Sequence, residues 1–449
     1  MSAHTTTSAG GRVRKVGLTF ALLLLLPFLL AAPADAQNHI PAPPQNGAIA
    51  LVGGTVHPVS GPAIEGGTVV FEDGVITAVG RDVQIPAGAD RIDISGLHVY
   101  PGLIDGFSQM GLYEIGAVDM TVDVNERGDI NPNVRVELAV NPESRHIGTA
   151  RSNGVLVTVT TPGGGWGGGL IPGSSAALVL DGWSWEQMTL RAPVAMNVTW
   201  PNPNNEDSYE QRIRELREAF ASARAYRSAR GAHEAGQGPR HPVDARWEAM
   251  IPVLEGDIPV VVSAGELRQL QDALEWAEDE GVRLVLRGGA DAWYVAEHLA
   301  AKDIPLLLTS VMSAPNRVWE PYDGAYGLPA RLHEAGVRFA ITGGSSAPYA
   351  NRLPYEAGSA VAFGLSADEA LKAVTLYPAQ FLGIDDRVGS LEAGKDATLI
   401  ITTGDPLDYP TIIERAFIQG RDIDMMDAHR FFFEKYMEKV RQVQGADRE

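Results

Sequence analysis

Short β-branched runs broken by glycine pairs occupy residues 48 to 96, and further on strands alternate with helical periodicity. Thr68 to Phe71 and Val75 to Val79 flank Glu72-Asp73-Gly74, where Asp-Gly supplies the positive φ a tight hairpin turn needs. Ile92 to Ile94 adds a strand, so this stretch predicts a small β unit. In the middle of the chain, Val260 to Ser263 is strand-like. Leu267, Leu270, Leu274 and Ala277 then share one helical face, and Gly281 stands where a helix-ending glycine belongs. Strands at Val282 to Leu286, Ile304 to Leu308 and Val337 to Ile341 follow, with a helix at Ala292 to Ala301. Their starts recur every 22 to 33 residues, the length of a strand plus a crossover helix. Crossovers of one hand in series close into a barrel.

β character returns at Ala397 to Ile401 and Arg415 to Ile418. The pattern therefore predicts an α/β protein in which strands and crossover helices in series close into a barrel, and the β-rich segments that bracket it could pair into one sandwich formed from both ends of the chain. A C-terminal helix falls within 426–449; from Asp427 to Val443 it sets Phe433, Met437, Val440 and Val443 on one side. Glu206 to Ala232 is helical and highly charged around an apolar stripe of Ile213, Leu216 and Phe220, and is expected to be a solvated excursion from the barrel.

The first residues read as an export signal. Arg12, Arg14 and Lys15 precede an apolar run from Val16 to Ala32, and Ala34-Asp35-Ala36 offers the small-x-small pattern of a cleavage site. The run is shorter than the roughly 20 residues a spanning helix needs. Residues 1–36 are thus expected to be removed, leaving a proline-rich leader at 37–47 and a periplasmic or secreted protein. There is no cysteine, which excludes disulfides, thiolate catalysis and a cysteine-linked lipid. The net charge is −20, and loss of Arg12, Arg14, Lys15 and Asp35 takes it to −22. So acidic a chain argues against nucleic acid and anionic membranes as partners.

Several ordered motifs carry a resemblance. Val52-Gly53-Gly54-Thr55, Gly96-Leu97-His98-Val99-Tyr100-Pro101-Gly102-Leu103-Ile104-Asp105, Ala373-Val374-Thr375-Leu376-Tyr377-Pro378-Ala379 and Ser390 to Leu399 closely resemble the amidohydrolase superfamily, its imidazolonepropionase-like and prolidase-like branch above all. The resemblance implies a TIM-type (β/α)8 barrel over residues 97–387 with a small composite β-sandwich built from both ends of the chain, 48–96 and 388–425. The activity it implies is hydrolysis of amide or related bonds by water activated on zinc or another divalent metal, with an aspartate on the last strand moving the proton. It also implies where the ligands stand. The His-x-His places after the first strand hold Phe107 and Gln109; the fifth-strand place holds Ser263, the sixth Arg287. The last-strand aspartate falls in Ile341 to Ser345, which has no acid, and no lysine stands near Pro193 to Trp200 for the fourth strand. Phenylalanine ligates nothing, and a guanidinium repels a cation. None of the ten histidines lies in an H-x-H, H-x2-H or H-x3-H spacing with another.

The expectation is therefore a member without metal or other cofactor. It binds a small anionic ligand through Arg287, Gln109 and Trp166, or a protein partner such as an active paralogue or a second copy. The alternative is a hydrolase of carbon–nitrogen bonds working through another constellation. Asp105, Gln109, Ser263, Arg287 and Glu356 are the pocket candidates, with Glu114, Glu126, Arg151 and Glu266 as further charged groups. Asp105 also has a structural role open to it, bonding backbone at the strand end. The run Gly163 to Gly169 lacks the Lys-Ser/Thr of a phosphate loop and reads as a flexible loop over the barrel mouth. Ser174, Ser263, Ser345 and Ser346 have no nucleophile elbow around them.

Overall fold

The computed structural model describes residues 40–163, 168–344 and 346–446; the expected export signal lies outside them. Five strands come first: β1 (Ile49–Val56), β2 (Ile64–Glu72), β3 (Val75–Gly80), β4 (Asp90–Asp93) and β5 (His98–Pro101). Eight follow: β6 (Leu103–Ser108), β7 (Val155–Thr160), β8 (Gly173–Val179), β9 (Thr189–Thr199), β10 (Val260–Ala264), β11 (Leu284–Gly288), β12 (Leu306–Leu308) and β13 (Phe339–Ile341). The last three are β14 (Leu399–Thr402), β15 (Ile413–Ile418) and β16 (Arg421–Ile423).

The two ends of the chain meet in one sheet, ordered β16-β15-β14-β5-β1-β2-β3 with β4 also on β1. The seam is β14 against β5, antiparallel, with Leu399 opposite Pro101. The sheet turns over itself at Gly53-Gly54. Before this pair β1 runs parallel to β4, after it parallel to β5. A side chain at Gly54 would meet the Ile94 side chain at 2.6 Å and the Leu97 carbonyl at 2.8 Å, so only glycine lets the strands cross this closely. Leu51, Phe71 and Val99 from the N-terminal side pack with Leu399 and Phe417 from the C-terminal side. His98–Pro101, placed with the barrel from sequence, pairs in this sheet instead, because the chain crosses to the barrel only at Gly102.

The barrel sheet runs β13-β12-β11-β10-β9-β8-β7-β6. It departs from eight parallel strands at one point: β8 is antiparallel to both β7 and β9. The nine residues between β8 and β9 (180–188) are fewer than the dozen or so that a parallel crossover with its helix needs, so the chain doubles back there. The two edge strands approach each other where the Gly343 amide donates to Asp105 Oδ1 at 3.2 Å.

Glu206–Glu234 is not a solvated excursion. Tyr209, Leu216, Ala219, Phe220, Ala223 and Tyr226 are buried, and Phe220 meets Trp276 of the helix Leu267–Glu280 edge to face at 5.1 Å. The charged residues that dominate its composition mostly cover the outer side of a helix whose inner stripe seals the barrel wall.

Because β8 runs backwards, its end lies at the opposite mouth from the ends of the parallel strands. There Asp181 is fully buried between Arg151, at 3.3 Å, and Arg421 of β16, at 2.6 Å. This triad ties the barrel to the composite sheet. Arg151 is therefore a docking residue and not the mouth group expected from sequence.

Candidate functional site

The site is assembled where β6, β10, β11 and β13 end. Asp105 lies within β6, is wholly buried, and uses Oδ1 to accept the amides of Gly343 at 3.2 Å and Phe107 at 3.4 Å. Its Oδ2 is buried and accepts no hydrogen bond among the described residues. Burial pushes the carboxyl up to about 7; those two amides and the Arg287 charge pull it down, and Glu356 adds to the rise. The backbone role expected for Asp105 is present, yet it leaves one oxygen unused.

Phe107 and Arg287 meet across the barrel interior. The guanidinium carbon lies 3.9 Å from the centroid of the Phe107 ring, a cation–π stack in a desolvated site. Arg287 stands opposite Ser263 in the β10–β11 register, and its Nη1 donates to Ser263 Oγ at 3.3 Å. Burial pulls the guanidinium down to about 10 while Asp105 acts the other way, so it remains a cation at neutral pH. Three of the substituted ligand positions thus touch one another.

The remaining candidates spread around this centre. Gln109 is buried and donates through Nε2 to the Gly163 carbonyl at 2.7 Å, fixing the start of the glycine-rich run. Glu356, in the helix Leu353–Ala362, accepts the Val311 and Met312 amides at 2.6 and 2.7 Å and both contacts of Ser310 Oγ at 3.3 Å. Burial raises its carboxyl above the ordinary glutamate range, and those donors lower it. It holds the loop after β12 in place. Glu266 opens the helix Leu267–Glu280, its amide bonded to Gln269 at 3.1 Å. Glu114 accepts from Asn141 at 3.3 Å in an exposed contact, and Glu126 is exposed; neither reaches the centre. Ser174 donates to the Val134 carbonyl. Trp166 and Ser345 lie outside the described residues.

Sequence reasoning missed a buried polar cluster on the neighbouring strands. Asn197 of β9 donates to the Gly173 carbonyl and to Ser175 Oγ, both at 2.9 Å, and Ser175 Oγ lies 2.8 Å from Thr161 Oγ1. The available signal was an asparagine inside the apolar run Val194 to Val198. Beside the barrel centre, a cavity of about 400 Å³ is lined by Gly288, Leu308 and Ser310 at the strand ends and by Trp293, Tyr294 and Arg331 farther out.

The donors at the centre do not fit a divalent cation. Gln109 is committed to Gly163, Ser263 accepts from a cation, and Phe107 offers only a ring already covered by Arg287. Among the described residues no group of three His, Asp or Glu side chains is placed to hold a metal ion. His57 and His98 do meet, Nε2 to Nδ1 at 3.0 Å, but on β5 and beside β1, away from the mouth.

Comparison with known proteins gives a consistent picture. Residues 263–440 match the model of the Amidohydrolase family. Amidohydrolase tasK of Hapsidospora irregularis is 24% identical over 386 residues, 79% of this chain, which spans only 39% of that protein. Imidazolonepropionase of Acidiphilium cryptum (strain JF-5) is 25% identical over 396 residues, 80% of this chain and 94% of its own length. The crystal structure of an amidohydrolase from Thermotoga maritima MSB8 superposes with a TM-score of 0.76 at 24% identity, covering 84% of this chain and 99% of that one, a likeness of fold.

Proposed function

This chain belongs to the amidohydrolase superfamily, and from that premise we propose that it is an exported, metal-free member that binds a small anionic ligand at the barrel mouth. The observation that carries the reading is the stack of Arg287 on Phe107 with Ser263 as its hydrogen-bond acceptor. A permanent cation occupies the place where the family's ligands would gather around a metal. At an effective dielectric of about 20, a unit positive charge a few ångströms from a divalent ion costs several kcal/mol. The same charge attracts a carboxylate or phosphate, and the adjoining cavity supplies apolar and aromatic surface for the rest of such a molecule.

A second reading, a hydrolase of carbon–nitrogen bonds without metal, is favoured by Asp105. A buried carboxyl near 7 with an unused oxygen is suited to pass a proton at neutral pH.

Elemental analysis after incubation with Zn²⁺, Mn²⁺ and Fe²⁺ followed by dialysis tests the first reading, with calorimetric titration of succinate and inorganic phosphate beside it. Substoichiometric metal and anion binding lost on Arg287→Met are expected. One equivalent of metal, removed by a chelator together with amide hydrolysis, would overturn it. Metal-free hydrolysis abolished by Asp105→Asn would establish the second reading instead. Export is checked separately: the N-terminus of the exported protein should lie near Gln37, and a sequence still containing Val16 to Ala32 would refute cleavage.

A further inference from the structure

Among the described residues, the helix Ala428–Ala446 is held to the molecule by its start alone. Asp427 accepts from Ser152 Oγ at 2.9 Å and from the Arg430 amide at 2.7 Å, and Arg430 reaches the Ile413 carbonyl. Beyond that, every side chain from Phe431 to Gln444 is exposed. An amphipathic helix normally turns its apolar stripe inward. This one presents Phe432, Phe433, Tyr436, Met437, Val440 and Val443 to solvent, with Phe433 at 66% and Tyr436 at 56% exposure. At 100° per residue these six fall within an arc of about 140°. Phe433, Tyr436, Val440 and Val443 follow the alternating three- and four-residue spacing of a coiled-coil seam.

We propose that this helix pairs with the same helix of a second copy of the chain. Three features favour that occupant. The stripe is apolar along its length, with aromatics at its N-terminal end and valines at its C-terminal end, so a parallel twofold pair sets like side chains against like. Six side chains of this kind expose on the order of 500 Å² per copy, so pairing buries about 1,000 Å², enough for a specific contact. The charges also fit: the helix carries Arg430, Lys435, Lys439 and Arg441 against Glu434 and Glu438, a mixed and slightly basic set on a chain of net charge −20. Such a helix meets its own mixed charges, and the acidic body of a second copy, without repulsion. An anionic lipid surface would instead repel the body of the protein.

The test uses the exported full chain in analytical ultracentrifugation. The expected result is twice the chain mass at micromolar concentration, with self-association weakened roughly 100-fold by Phe433→Glu combined with Val440→Glu, the scale of losing central apolar anchors. The unfolding midpoint of the body should not move, because neither residue packs against it. Since the chain has no cysteine, Met437→Cys and Val440→Cys, made separately, report the contact directly. At least one should form an intermolecular disulfide under mild oxidation. A monomer at 100 µM that forms no disulfide would overturn the proposal. So would a dimer indifferent to the double substitution, or a monomer that floats with phosphatidylglycerol vesicles.

Discussion

Asp181→Ala should lower the free energy of unfolding by about 3–5 kcal/mol, the cost of leaving buried charge without its counter-ion. The carboxylate is fully buried and lies between Arg151, itself buried, and Arg421, which is nearly so. Removing it leaves two guanidiniums facing each other at low dielectric. Arg151 retains the Leu180 carbonyl at 3.3 Å, a neutral acceptor that cannot balance its charge. Burial already pulls Arg151 down to about 10, with Asp181 and, more weakly, Asp424 opposing that shift, so the substitution removes the larger of the two charges that keep the cation favourable. Urea unfolding of wild type, Asp181→Ala, Arg421→Met and the double variant measures this. The double variant should be less destabilised than the sum of the singles, because one unpaired cation leaves with Arg421. A loss below about 0.5 kcal/mol for Asp181→Ala would mean that the triad does not join barrel to sheet.

That triad also marks where sequence ceased to be informative. Local rules placed the elements: the Asp73-Gly74 hairpin turn, the helix closing at Gly281 and the strands at Leu284, Leu306 and Phe339 were all legible from spacing. Their repeat gave the barrel, and strands at both ends of the chain gave the composite sheet. Strand direction was not legible. Nothing in Gly173–Val179 tells an antiparallel strand from a parallel one when both faces are buried, and the information lies in the length of the connections. Because β8 is reversed, Asp181 after its end comes to the far mouth, where Arg151 already stands just before β7, so a residue read as a charged group near the pocket mouth is structural. The helix Glu206–Glu234 failed for a different reason. Its charge density concealed an apolar stripe that runs on through Ala223 and Tyr226, and only the barrel wall beside it shows that the stripe is covered.

At the site, motif order picked out Phe107, Ser263 and Arg287, each at a fixed distance from a recognisable strand, and in the structure Arg287 stacks on Phe107 and donates to Ser263. The contact of Phe107 with Arg287 could not be read, since it joins β6 and β11, far apart in the sheet order, whereas Ser263 and Arg287 face each other on neighbouring strands. Gln109 shows the same limit from the other side. It was grouped with Arg287 as a ligand contact, but its amide is given to Gly163, a partner 54 positions away in sequence.

Asp105→Asn should stabilise the protein relative to wild type by an amount that grows with pH. An aspartate ordinarily near 3.8 is held at about 7 in the fold. For a group whose folded value is raised, the stabilising contribution of its protonated form is complete below pH 3.8. It is lost as pH rises through about 7, because the unfolded chain releases its proton first. Across that window wild type should lose on the order of 4 kcal/mol that Asp105→Asn does not lose. The asparagine keeps an oxygen for the Gly343 and Phe107 amides, so any packing penalty is a constant offset, separable from the slope. Urea unfolding at pH 4.5, 6 and 8.5 reads the difference directly, and a gap between the two proteins that stays constant over this range would refute the raised carboxyl. Arg287→Met supplies the check on cause. Without the guanidinium, the Gly343 and Phe107 amides still favour ionised Asp105 but the nearby positive charge is gone, and the pH-dependent loss should extend above pH 7. In the proposed anion site the same titration acts on binding: below about pH 7 Asp105 is neutral and Arg287 loses its internal counter-charge, so succinate should bind more tightly at pH 6 than at pH 8.5 by a margin that Asp105→Asn abolishes.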